Sequence, residues 1–116
     1  MDNNRRKYVR ANYPCQLTIW QDVGLETILA NTSNIGAQGI GVIVDQEILA
    51  GTKVDVQIYW KELGDPFRCK GIVVYNKKRE DRFYHTGIQF VALSLNKTNQ
   101  LNRKILDLKD LEKEGK

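Results

Sequence analysis

One histidine, two cysteines and two prolines in 116 residues leave little from which to build a catalytic or metal centre. His85 stands alone, with no Cys/His cluster at metal-binding spacing around it. Cys15 and Cys69 lie far apart among apolar neighbours, so both are expected as small buried hydrophobes rather than a redox pair. No glycine-rich loop is followed by a Lys-Ser/Thr pair, which excludes an NTPase phosphate loop. Acidic residues are scattered over turns and polar strand faces, with no pair set for acid–base work. An enzyme is therefore not expected. No apolar run reaches the roughly 20 residues of a membrane helix, and Met1 to Lys7 lack the apolar stretch of a secretory signal. The expectation is a cytoplasmic protein without membrane insertion.

What the chain does have is concentrated positive charge. Its net charge is +4, and the first ten residues set Arg5, Arg6, Lys7 and Arg10 against Asp2 alone. A second basic run is Lys77-Lys78-Arg79-Glu80-Asp81-Arg82. Concentrated charge of this kind suits an anionic ligand near the N-terminus, or a solvated basic tail.

Between Cys15 and Phe90 short apolar-alternating runs are separated by turn signals. Cys15, Leu17 and Ile19 alternate with polar residues up to Asp22-Val23-Gly24. Thr27–Ala30 is a second short candidate, and Ile40–Val44 is rich in β-branched residues. From Lys53 to Trp60 the alternation is strict, with Val54, Val56, Ile58 and Trp60 on one face. Phe67–Tyr75 places Cys69, Gly71, Val73 and Tyr75 on one side, and Phe83–Val91 follows the charged loop. The period then changes. Ser94 can cap a helix in which Leu101, Ile105 and Leu108 share a face. The fold class is all-β: a small antiparallel β-barrel of about six strands with a C-terminal amphipathic α-helix. The expected organisation is a flexible arginine-rich arm over 1–12, the barrel over 13–93 and the helix with a frayed end over 94–116.

A guanidinium offers five donors in a planar fork, so it clamps phosphate oxygens, stacks on a purine or pairs with guanine O6 and N7. Clustered arginines ahead of a barrel thus suit a guanine nucleotide or a nucleic-acid backbone, or serve no ligand at all. Arg6-x-x-x-Arg10 before the first strand resembles the RxxxR motif of PilZ domains. The family's second motif, Asp/Asn-x-Ser-x-x-Gly, has two registers here. Asn31-Thr32-Ser33-Asn34-Ile35-Gly36 matches in letters; Asn34-Ile35-Gly36-Ala37-Gln38-Gly39 matches with Gly36 in the serine's place. The second is preferred because Gly39 leads directly into an apolar strand. Gly71–Tyr75 and Gly87–Phe90 also resemble the family's closing strands.

The resemblance implies a bacterial second-messenger receptor that binds cyclic di-GMP on the barrel's outer surface, with no cofactor besides this ligand. It implies phosphate and guanine contacts from Arg6 and Arg10 with help from Arg5, and a guanine-edge contact from Asn34. Gly36 and Gly39 would allow close backbone approach, Ser33 would supply a nearby hydroxyl and Tyr75 would stack on a purine. The alternative is a degenerate PilZ module that docks a protein partner and binds no nucleotide. A nucleic-acid binder is disfavoured by the modest net charge and the scarcity of exposed aromatics on the strands.

Overall fold

The computed structural model describes residues 8–10, 12–21, 24–60 and 66–114. Seven strands and one helix follow in chain order: β1 (Tyr8–Arg10), β2 (Pro14–Gln21), β3 (Gly24–Gly36), β4 (Gly39–Val44), β5 (Lys53–Ile58), β6 (Phe67–Lys78), β7 (Tyr84–Val91) and α1 (Leu95–Glu114). All pairings are antiparallel. They run β3-β2-β5-β6-β7-β4 and return to β3, which closes a six-stranded barrel and leaves β1 as an added short strand.

The closure depends on the length of β3. Its 13 residues span far more than the Thr27–Ala30 expected from alternation, because three partners hold it. Gly24 to Asn31 pair with β2, Asn31 to Ile35 with β4, and Asn34 to Gly36 with β1. The Thr32 N–H donates to the Tyr13 carbonyl at 2.9 Å, so β1 and β2 lie along the same edge of β3. Tyr8–Arg10, within the segment expected as a flexible arm, is thus a strand anchored on β3.

The inner face is filled as the alternation requires. Val54, Val56, Ile58 and Trp60 are all buried, as are Leu17, Val42, Val73 and Ile88. Burying each such side chain contributes roughly 1.5–3 kcal/mol relative to exposure. Helix α1 closes the barrel end. Ser94 Oγ accepts from the Lys97 N–H at 3.1 Å, satisfying one of the donors that a helix start leaves open, and Leu101, Ile105 and Leu108 are buried. They meet an aromatic chain in which Trp60 lies 6.1 Å from Tyr13 and 5.1 Å from Phe67, ring centre to ring centre. Lys104, only 6% exposed, sets its Nζ 5.2 Å from the Tyr13 ring and 5.7 Å from Trp60. The aromatic faces favour the cation there.

Two β-bulges interrupt this regularity, and both matter for the outer surface. An extra residue switches the parity of a strand, sending later side chains to the opposite face. In β3 the register shifts between Thr32 and Asn34. Thr32 and Ile35 point inward, while Ser33 and Asn34 both stay outside. In β6 the shift falls between Val73 and Tyr75. Tyr75 was expected on the side of Val73; the bulge at Val74 turns it out instead, and it is 38% exposed while Val73 is buried.

Candidate functional site

The registers of five strands place one residue from each in a single row across the outer surface. Arg10 of β1 is opposite Asn34 of β3, Asn34 is opposite Gly41 of β4, Gly41 is opposite Gly87 of β7, and Gly87 is opposite Tyr75 of β6. The middle of the row carries no side chains, so the backbone itself is the floor. Asn34 on one side and Tyr75 on the other lean over that floor.

A Cβ on Gly87 would stand 2.2 Å from Tyr75 Cε2. The tyrosine ring therefore lies directly on the glycine backbone, a cross-strand contact that only a missing side chain permits. A Cβ on Gly41 would stand 2.8 Å from Asn34 Oδ1, 2.9 Å from His85 Nε2 and 3.1 Å from Ser33 Oγ. Three polar groups thus converge over the second glycine. Asn34 Oδ1 accepts the Gly41 N–H at 3.0 Å. That donor occupies the amide oxygen, so what the side chain has left to offer a guest is its NH2 donor.

His85 Nε2 lies 3.2 Å from Ser33 Oγ, and its ring meets Tyr75 edge-on at 5.6 Å and 72°. Its pKa is lowered from the usual 6.5, first by burial and then by the cations Arg79 and Lys77. The folded state therefore binds this proton less readily than the unfolded chain. Stability that is complete above 6.5 is lost as pH falls through the depressed folded value. Urea midpoints measured across that window are expected to fall with pH more steeply in the native chain than in His85→Gln; equal slopes would refute this assignment.

Asn34 stands between two depressions. One, of about 310 Å³, runs over the row and is bordered by Gln38, Ile40, Tyr75 and Gln89. The other, of about 890 Å³, is bordered by Asn12, Ser33, Ile43, Arg79 and His85. Arg79 pairs with Asp81 at 3.0 Å on its rim. A flat, polar-edged, anionic guest suits this surface: a glycine floor and an aromatic for its plane, amide donors for its edges and cations nearby.

Ser33, Asn34 and Tyr75 border this surface, and the register sets Arg10 of β1 opposite Asn34. Arg5 and Arg6 lie outside the described residues. Gly36, where a motif serine is expected, is buried at the end of β3 opposite Tyr8. Gly39 begins β4, and its missing side chain is explained by the barrel: a Cβ there would stand 2.2 Å from the Ile88 carbonyl oxygen. Sequence reasoning did not single out Gly41, Gly87 or His85 as site residues. The available signal was a glycine inside each of two β-branched or aromatic runs, which marks close approach of another group. The two thiols stand apart from this chemistry. Burial pushes both Cys15 and Cys69 up to about 12, so neither is a ready nucleophile.

The family model described as PilZ domain matches residues 4–107. The chain belongs to the PilZ domain family. Solved PilZ structures share its fold. The PilZ domain of YcgR from Escherichia coli, determined with c-di-GMP, superposes with a TM-score of 0.76 at 15% identity, covering 93% of this chain and 92% of that one. The Bacillus subtilis inhibitor of motility, MotI/DgrA, gives 0.70 at 17% identity, covering 97% of this chain and 54% of that one. MrkH of K. pneumonia in its apo state gives 0.76 at 14% identity, covering 100% and 55%. The chain thus spans about half the length of the last two. Comparison with curated proteins finds no match. No helix among the described residues is long and apolar enough to cross a membrane.

Proposed function

We propose that this PilZ domain is a non-catalytic receptor for cyclic di-GMP, bound across the row from Arg10 to Tyr75. The observation that carries the reading is the glycine floor flanked by the Asn34 amide and the Tyr75 ring, with Arg10 of β1 in register opposite Asn34. Arg6 and Arg10, assisted by Arg5, clamp phosphate and a guanine edge; Asn34 donates to a guanine; Tyr75 stacks on a purine. Gly36 removes one hydroxyl from the second motif, and the loss of one neutral hydrogen bond costs roughly 0.5–1.5 kcal/mol, about tenfold in affinity at most. Ser33 Oγ, turned outward by the bulge, supplies a hydroxyl beside Asn34. The receptor signals as the arginine arm orders around the ligand and presents a new surface to a protein partner. Strand β1, three residues long, sets the end of that arm beside Asn34.

Titration calorimetry with cyclic di-GMP tests this. Binding is expected in the native chain and at least about tenfold weaker in Arg6→Ala and Arg10→Ala. No heat at a ligand concentration of about 100 μM, well above typical receptor affinities, would refute it and leave the protein-docking module.

A further inference from the structure

Among the described residues the first half of β3 is open along one side. Strand β4 pairs with β3 only from Asn31 onward, so Gly24–Ala30 has β2 on one side and no strand on the other among the described residues. The hydrogen bond from Thr32 N–H to Tyr13 sets the parity of this stretch. Even-numbered residues direct their N–H and C=O groups to β2; Leu25, Thr27 and Leu29 direct theirs to the open edge. The Tyr59 N–H donating to the Pro14 carbonyl at 2.9 Å fixes β2 in the complementary parity, and Asn31 pairing with Ile43 agrees.

Open edges are ordinarily blunted by lysine, proline or a covering element. Here none is used. Strand β3 carries a single charge, Glu26, whose carboxylate accepts from Gln46 Nε2 at 3.1 Å. Strand β6, by contrast, bears Arg68, Lys70, Lys77 and Lys78. The open edge instead displays Leu25 at 56% exposure and Leu29 at 77%.

We propose that this edge pairs with the same edge of a second copy of this chain, antiparallel about a two-fold axis at Thr27. The sequence of the edge is its own complement in that register. Leu25 faces the second copy's Leu29, Thr27 faces its counterpart, and each of these pairs exchanges both backbone hydrogen bonds. Charge fits the same occupant: the seam sets no like charges opposite one another, and an acidic or basic peptide would find no counter-charge along it. A seam built on Leu25, Thr27 and Leu29 alone is expected to bury less than the roughly 1,200 Å² of stable complexes, so Kd is expected on the order of 10 μM. The seam occupies the first half of β3 and the Asn34 row its end, so self-association does not depend on nucleotide binding.

Sedimentation velocity of the full chain without ligand, from about 1 to about 200 μM so as to bracket that Kd, is expected to show a monomer converting to a dimer. Thr27→Pro removes an N–H that β2 does not use. It is expected to raise Kd at least about tenfold with an unchanged far-UV circular dichroism spectrum. Leu29→Lys, at an exposed position, is expected to do the same without touching the backbone. Adding Leu25→Glu to Leu29→Lys places opposite charges across the seam and is expected to bring Kd back to within about threefold of the native value. A monomer at every concentration overturns the proposal. So does a dimer that neither Thr27→Pro nor Leu29→Lys weakens, because another surface then holds it.

Discussion

Gly39→Ala is expected to destabilise the barrel by about 3 kcal/mol, the upper end of what overpacking by one methyl usually costs. The added carbon would stand 2.2 Å from the Ile88 carbonyl oxygen and 3.2 Å from Gln89 Cα. Both are backbone atoms in β7, and Ile88 is itself anchored in the core at 2% exposure, so nothing nearby yields as a flexible side chain would. The strain falls where β4 meets β7 and where the Phe90 N–H donates to the Gln38 carbonyl at 2.7 Å. Domains of this size are stable by only about 5–15 kcal/mol, so the loss is a large share. Urea unfolding followed by tryptophan fluorescence measures it. A loss below about 1 kcal/mol would mean that this glycine of the motif serves the ligand and not the closure of the barrel.

Gly87→Ala is expected to do the opposite: leave the fold nearly intact and disable the surface. Its Cβ would meet the Tyr75 ring at 2.2, 2.6 and 2.7 Å, and a half-exposed ring can swing away. The row then loses its aromatic platform. Stacking of a base on an aromatic side chain is worth roughly 1–3 kcal/mol, so cyclic di-GMP affinity is expected to fall about 10- to 100-fold. Tyr75→Ala should cost the same. Combining it with Gly87→Ala should cost no more, because both changes remove one interaction. Full additivity in calorimetry would show that Gly87 acts by some route other than the ring.

Much of the barrel was legible because alternation survives folding unchanged where a strand is regular. Val54, Val56, Ile58 and Trp60 read as one face and are one buried face. The helix was equally plain, since Leu101, Ile105 and Leu108 repeat with its turn and Ser94 stands at its start. The candidate site was only half legible. Motif spacing brings Arg10 and Asn34 to notice, but their pairing depends on β3 running on past Asn31 between two partners. The outward turn of Tyr75 depends on a bulge at Val74 that no residue type announces. Gly41 and Gly87 become a floor only when β4 and β7, far apart in the chain, are laid side by side.

Lys104 has a chemical consequence of its own. Acylation of a lysine amine removes its charge and adds bulk. With α1 docked, Lys104 is only 6% exposed and its amine lies against the Tyr13 and Trp60 rings. An amine-directed reagent is therefore expected to label it slowly while the helix stays docked. Once acylated, the side chain no longer offers those rings a cation. The rate at which it is labelled would then count how often the helix lets go of the barrel.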